Sequence, residues 1–225
     1  MIQRELLDTA QVPGGEKLEL YRHDRDFMIV LGHNELMSTR KWGSEEALAV
    51  MSAERIKSAK QPHVLIGGYG MGFTLRAALK VLPADARITV VELMPEIIAW
   101  ARGPMAQVAQ GCLDDARVNL VMADVAPIIA GGLGEYDAIL LDVDNGPDGL
   151  VRADNDILYS GSGLRAAKAA LAPGGVLAIW SAAPDAAFNR RLLKAGFDVD
   201  EVKVSARSNG KGPKHVIWFA RAGRT

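Results

Sequence analysis

A glycine-rich turn, Gly67-Gly68-Tyr69-Gly70-Met71-Gly72, is followed along the chain by three acids, each closing a short apolar run: Glu92 in TVVEL, Asp124 in VMADV and Asp142 in ILLDVDNGP. Glycines at 68, 70 and 72 permit positive φ and let a ligand approach the backbone closely. An acid about twenty residues beyond such a turn can accept hydrogen bonds from both hydroxyls of a ribose. Gly67, Gly68, Gly70, Gly72, Glu92, Leu93, Asp124, Val125 and Asp142 therefore form a candidate nucleotide site, in which the turn, Glu92, Asp124 and Asp142 meet successive parts of the ligand. The plain alternative is a tight turn that binds nothing and acids that merely end their strands.

For these residues to converge, their runs must lie side by side. From His63 onward, short β-branched runs alternate with helical stretches, the pattern of parallel strands joined by crossover helices. Strands are expected at 63–67, 87–92, 117–122, 136–142 and 176–180, with helices at 73–81, 95–110, 125–130 and 162–171. A helix near 185–195 leads to runs at 197–204 and 215–220, which lack a helix between them and should pair as an antiparallel hairpin at the sheet edge. Pro95 suits a first helical turn, and Pro173-Gly174-Gly175 should stop a helix. Ahead of this lie three apolar runs, 17–21, 27–31 and 35–37, separated by turns and read as a small β meander. Ser44, before Glu45 and Glu46, is the expected N-cap of a helix reaching about Ala59. The parallel runs carry their acids at their C-terminal ends, the edge where open α/β sheets bind ligands. The expected division is 1–60, meander and linking helix, and 61–225, a Rossmann-like nucleotide-binding domain.

With 225 residues, 49% of them hydrophobic, the chain can bury one full-sized core. Its 26 basic and 27 acidic residues nearly cancel, and its basic clusters are short, so nucleic acid is not the expected partner. The single cysteine, Cys112, cannot form an internal disulfide and reads as a packing residue in a reducing compartment. With four scattered histidines it assembles no zinc spacing, so no metal is expected. No run approaches the ~20 apolar residues that cross a bilayer. A cytoplasmic chain acting on a small molecule, without a membrane partner, is the expectation.

An NAD site can show a similar order of groups, but the terminal hairpin and the spacing around the turn fit a class I S-adenosylmethionine (SAM) methyltransferase fold better. VLIGGYGMGFTLRAAL, TVVELMPEIIAWAR, the acid of MADV, YDAILLDVDNGP and LAPGGVLAIW resemble, in order, the successive motifs of spermidine synthases and spermidine synthase-like proteins. The similarity runs from about Lys17 to Trp180. The resemblance implies an α/β fold with a class I SAM-type sheet behind a small β meander, a nucleoside sulfonium donor, no metal, and by analogy a homodimer.

In that family the turn reads GGGDGG, and its aspartate holds the amino end of decarboxylated SAM; here Tyr69 takes that place. The family's DSxDP motif carries one aspartate that acts on the attacking amine and another that anchors the polyamine. Asp142 matches the first, and Asn145 falls on the second. A desolvated ammonium costs several kcal/mol unless an anion receives it. Two lost anions therefore point away from polyamines and toward methyl transfer from SAM to a small amine. Aminopropyl transfer from decarboxylated SAM to a diamine is the alternative, with Asp144 replacing the missing anion, and a non-catalytic nucleoside-binding protein is the third reading.

Asp142 is the expected catalytic group, orienting and deprotonating a nucleophile, with Asp144 as a like-charged neighbour raising its proton affinity; capping of the loop is the plainer role. Tyr69 either shapes the pocket, where it would also contact substrate, or packs. Arg40 and Trp42, after the third run together with Ser38, Thr39 and Lys41, fall where the family forms part of a lid, although a solvated loop is the simpler reading. Asn145, Asn155 and Tyr159 are further candidates for the substrate wall, with core packing the alternative for Tyr159. His215 and Trp100 read as structural.

Overall fold

Alternation builds the N-terminal sheet: in β2 (Lys17–His23), Leu18 and Leu20 are buried between exposed or half-buried neighbours. The computed structural model describes residues 4–13, 15–143, 155–210 and 212–222. β2 pairs with β1 (Glu5–Gln11) and β3 (Asp26–Leu31), and β3 pairs with β4 (Asn34–Ser38), in an antiparallel sheet of order β1-β2-β3-β4. The meander thus has four strands, not three. β1 is a mostly exposed edge strand with a bulge between Leu6 and Asp8, so it shows no apolar alternation.

α1 (Gly43–Arg55) starts one residue before the expected cap and ends at Arg55, short of Ala59. Trp42 occupies the N-cap without a side-chain bond, because the Ser44 hydroxyl is turned inward toward other partners. α1 packs against α2 (Phe73–Val81) and reaches the large sheet.

That sheet contains β5 (His63–Gly67), β6 (Arg87–Glu92), β7 (Val118–Met122), β8 (Tyr136–Leu141), β9 (Leu171–Ser181), β10 (Phe197–Ser205) and β11 (Lys214–Ala222), in the order β10-β11-β9-β8-β5-β6-β7. The first five run parallel. β11 inserts antiparallel between β9 and β10, so β10 forms the edge and β11 is interior. β9 starts at Leu171 and continues through Pro173-Gly174-Gly175, which bends the strand at a register shift instead of preceding it.

Single-residue alternation gives each central strand two buried faces. Val64 and Ile66 of β5 join the core shared with the N-terminal sheet, while Leu65 joins the core on the opposite face. The crossovers are α2, α3 (Pro95–Arg102) with α4 (Ala106–Ala109), α5 (Val125–Gly131), and α6 (Asn155–Tyr159) with α7 (Gly161–Ala170); α8 (Ala186–Lys194) links β9 to β10. The helix expected over 95–110 is two helices, because Pro104 lacks an N–H and disfavours helical backbone at Gly103. The α3 residue Trp100 donates its indole N–H to Asp8 Oδ2 at 2.7 Å, tying β1 to the helices beside the large sheet.

From β5 the chain builds outward through β6 and β7, then returns to place β8 and β9 on the other side. The crevice between the C-terminal ends of β5 and β8 is the topological switch point, where a doubly wound sheet offers its ligand site. Among the described residues, no helix is long and apolar enough to cross a membrane.

Candidate active site

The turn after β5 is pinned from both sides of the switch point. Gly68 N–H donates to Val91 O on β6 at 2.9 Å, and Asp142 N–H donates to Gly67 O at 3.0 Å. Gly68, Gly70 and Gly72 have φ of 87°, 55° and 80°. A Cβ on Gly68 would lie 2.5 Å from the Asp142 carbonyl oxygen, so only glycine lets the two strand ends meet. Gly68 and Gly70 face a cleft, with Gly67 and Gly72 behind them.

Glu92, Leu93, Asp124, Val125 and Asp142 line the same cleft. The tips of β5, β6, β7 and β8 therefore converge as their acids suggest. Glu92 is buried, and its two carboxylate oxygens accept the backbone N–H groups of Tyr69 at 2.9 Å and Met94 at 2.8 Å. Burial raises its pKa, and these N–H donors oppose the shift. The backbone N–H groups of Gly70 and Leu93 also act on this carboxylate and oppose the shift in the same way. Asp124 accepts the Ala126 N–H at 2.9 Å and so caps α5. Asp142 accepts the Thr74 hydroxyl at 2.8 Å, while burial raises its carboxyl pKa.

Leu18, Ile29, Leu36 and Met37 of the small sheet form an apolar roof over this polar floor. A Cβ on Gly70 would lie 2.8 Å from Met37 Cε, which shows how closely the roof sits on the turn. Val12, beyond β1, belongs to the same lining. The alternation of Leu18 and Leu20 reveals an inward face but not that part of it covers a ligand site.

Several expected wall residues lie elsewhere. Tyr69 is 4% exposed; its ring packs behind the turn against Gly72, its hydroxyl is 3.5 Å from Cys112 Sγ, and it does not line the cleft. The side chain turns inward because the Tyr69 N–H is held by Glu92 between two positive-φ glycines. Arg40 pairs with Asp26 at 2.6 Å and contacts His23 at 3.1 Å, outside the cleft. Trp42 stacks on Phe73 with centroids 6.0 Å apart and borders a separate hollow. Tyr159 is buried edge-on to Phe188, and its hydroxyl donates to Val143 O over a long 3.4 Å. Asp144 and Asn145 lie outside the described residues, as does the side chain of Asn155. Tyr69→Phe should leave the affinity for methylthioadenosine unchanged in calorimetry and cost no more than about 1 kcal/mol of stability. A large loss of affinity would return Tyr69 to the site.

One polar cluster beside the cleft escapes a sequence reading. The first turn of α1 brings Glu45 next to Asp142, whose charge, after burial, raises the Glu45 pKa. The Ser44 hydroxyl donates to Glu45 Oε2 at 2.6 Å and lies 2.8 Å from His215 Nδ1 on β11. The available signal was two adjacent acids opening a helix, a pattern that ordinarily serves the helix dipole. Among the described residues, no group of three His, Cys, Asp or Glu side chains is placed to hold a metal ion.

This sheet order, with its switch-point cleft and small antiparallel roof, defines an α/β fold of the class I SAM-methyltransferase type. Residues 43–190 match the family model described as the spermine/spermidine synthase domain, and the chain belongs to that family. It is 30% identical over 122 residues to the polyamine aminopropyltransferase of Sulfolobus acidocaldarius, covering 54% of this chain and 39% of that protein. It is also 30% identical over 161 residues to polyamine aminopropyltransferase 1 of Streptomyces coelicolor, covering 68% and 29%. The matched stretches thus span well under half of either relative. The spermidine synthase of Thermotoga maritima superposes with a TM-score of 0.77 at 21% identity, over 97% of this chain and 73% of that one. A spermidine synthase in complex with the transition-state analogue AdoDATO gives 0.76 at 20%, over 97% and 72%.

These comparisons overturn the expected preference for a methyltransferase, because the relatives are polyamine aminopropyltransferases. The expectation counted anions only in the glycine turn and the loop after Asp142. It left out the first turn of α1, where Glu45 lies near enough to feel the charge of Asp142.

Proposed function

We propose that the chain transfers an aminopropyl group from decarboxylated SAM to the amine of a small polyamine-type substrate. The observation that carries this reading is the Asp142 carboxylate, enclosed at the switch point with Gly68 and Glu92 in one cleft and Glu45 close by. Family membership and the aminopropyltransferase activity of the relatives support it. The donor's fit rests on the close approach allowed at Gly68 and Gly70 and on the Glu92 carboxylate, which lines the same cleft at the end of β6. Its sulfonium supplies an electrophilic carbon and a thioether leaving group.

The protein's part is orientation and proton removal. Asp142 orients the amine and takes a proton from its ammonium form. The freed lone pair forms the new C–N bond as the C–S bond breaks toward sulfur. Burial brings the Asp142 carboxyl closer to the proton affinity such a base needs, and the Thr74 hydroxyl fixes the carboxylate's orientation. The roof of Leu18, Ile29, Leu36 and Met37 limits water at the reacting centre.

Incubation with decarboxylated SAM and diamines of several lengths should release methylthioadenosine, and SAM in its place should not. Turnover with SAM alone as donor would overturn the reading. Glu92→Gln should weaken methylthioadenosine binding by about 1–3 kcal/mol, the range for a hydrogen bond to a charged group. An unchanged calorimetric affinity in a folded variant would remove Glu92 from the ribose.

A further inference from the structure

Asp142 is held twice by one short stretch of chain. Its backbone N–H donates to Gly67 O at 3.0 Å, just before the glycine turn, and its side-chain Oδ2 accepts the Thr74 hydroxyl at 2.8 Å, just after it. Gly67 ends β5 and Thr74 lies in the first turn of α2, so the two anchors bracket the segment in which Gly68 and Gly70 face the cleft. Thr74 is 2% exposed, which keeps bulk water from competing for its hydroxyl. That hydroxyl has one proton to give. The Glu45 carbonyl oxygen stands 3.4 Å away as a long second acceptor, and the shorter bond, to a carboxylate, takes the proton.

The bond gives the two oxygens of Asp142 different work. Oδ2 is occupied, and among the described residues no other group donates to this carboxylate. The titratable groups near it are Glu92 after β5's neighbour β6 and Asp124 before α5, which line the same cleft, and Glu45 in the first turn of α1, which feels its charge. Among the described residues, no lysine or arginine is ion-paired to Asp142. A carboxyl shut away from water is driven toward its protonated form, which cannot take a proton from an ammonium. The Thr74 bond works the other way, because it is charge-assisted only while Asp142 is ionised.

We propose that Thr74 is a positioning residue for the transfer: it keeps Oδ2 occupied, so that Oδ1 meets the amine in a direction fixed to the same turn that holds the donor. This rests on the aminopropyltransferase reading of the cleft. One ammonium proton passes to Oδ1, the freed lone pair closes on the carbon beside sulfur, and the C–S pair leaves with sulfur. The Thr74 proton stays on Thr74 throughout, and Thr74 touches no reacting atom. Donor and base are aligned by one segment, Gly67 to Thr74, rather than by two independent parts of the fold.

Thr74→Val removes the hydroxyl at nearly constant shape, and Thr74→Ser keeps it. Carboxyl-carbon NMR titration of the ligand-free protein should place the Asp142 midpoint about one unit higher in Thr74→Val, the direction expected when a bond to the charged form is lost, and close to the parent in Thr74→Ser. With decarboxylated SAM and a diamine, kcat should fall by about 10–100-fold in Thr74→Val, the scale of a small misplacement. The acid limb of kcat/KM should move up with the midpoint, Thr74→Ser should recover most of the rate, and methylthioadenosine affinity should be unchanged in both. Thr74→Ala, which sets no methyl group against the carboxylate, serves if Thr74→Val does not fold. An Asp142 midpoint that stays in place without the hydroxyl, or a Thr74→Ser variant as slow as Thr74→Val, would overturn the proposal. A parent protein that releases no thioether with any diamine would instead sink the aminopropyltransferase reading, while the titration would still judge the bond.

Discussion

Asp142→Asn should lower the rate of the proposed aminopropyl transfer by about 10²–10⁴-fold, the range for losing a positioned general base, while methylthioadenosine binds almost as before. The two effects separate because asparagine keeps the shape and can still accept the Thr74 hydroxyl bond now made by Oδ2, but it cannot take the ammonium's proton. The same variant gains stability in alkali. The folded-state pKa of Asp142 is raised by burial, so folding favours the protonated form. Stability contributed by this group is therefore present near the unfolded value and falls as pH rises through the folded one. Asparagine removes that loss. Calorimetric melting at pH 8–9 should find the variant above the parent, with the advantage gone near pH 4. A variant that is less stable in alkali, or that retains its rate, would refute this account of Asp142.

Gly68→Ala should cost about 2–4 kcal/mol and abolish nucleoside binding together with turnover. Two penalties combine at this site. The φ of 87° is strained for any residue bearing a Cβ, and that Cβ would meet the Asp142 carbonyl oxygen at 2.5 Å and Val143 Cγ1 at 3.3 Å. Backbone hydrogen bonds to Val91 and Asp142 pin the strand ends around it, so relief would have to come from moving the catalytic strand. Gly134→Ala is the control: its φ is 63°, but no atom lies within 4 Å of the new Cβ. It should show conformational strain alone, about 1 kcal/mol. Equal losses in both variants would show that the contact with Asp142 contributes nothing.

Local rules made much of the molecule legible. The parallel strands follow from short β-branched runs between helical stretches, and the terminal antiparallel pair follows from a loop too short for a crossover helix. The edge where the acids converge was visible because Glu92 ends β6, Asp142 follows β8 directly and Asp124 lies two residues past β7. What local rules could not show depends on three-dimensional context. β1 lacks apolar alternation because it is an exposed edge, and α3 ends where Pro104 intervenes. Arg40 fell where the resemblance puts part of a lid, but the fold brings Asp26 beside it as an ion-pair partner. Tyr69 sits between glycines whose dihedral angles, not their spacing, decide where its ring points. Glu45 resembled an ordinary first-turn acid, since its neighbour Asp142 arrives from the far end of another crossover.

The interior position of β11 has a consequence during synthesis on the ribosome. β9 and β10 leave the exit tunnel before the strand that must bridge them. A nascent chain therefore carries two unmatched backbone edges, open to wrong pairing, until Lys214–Ala222 follows. That late arrival also delivers His215, so the side chain anchoring Ser44 is seated only when the central sheet closes.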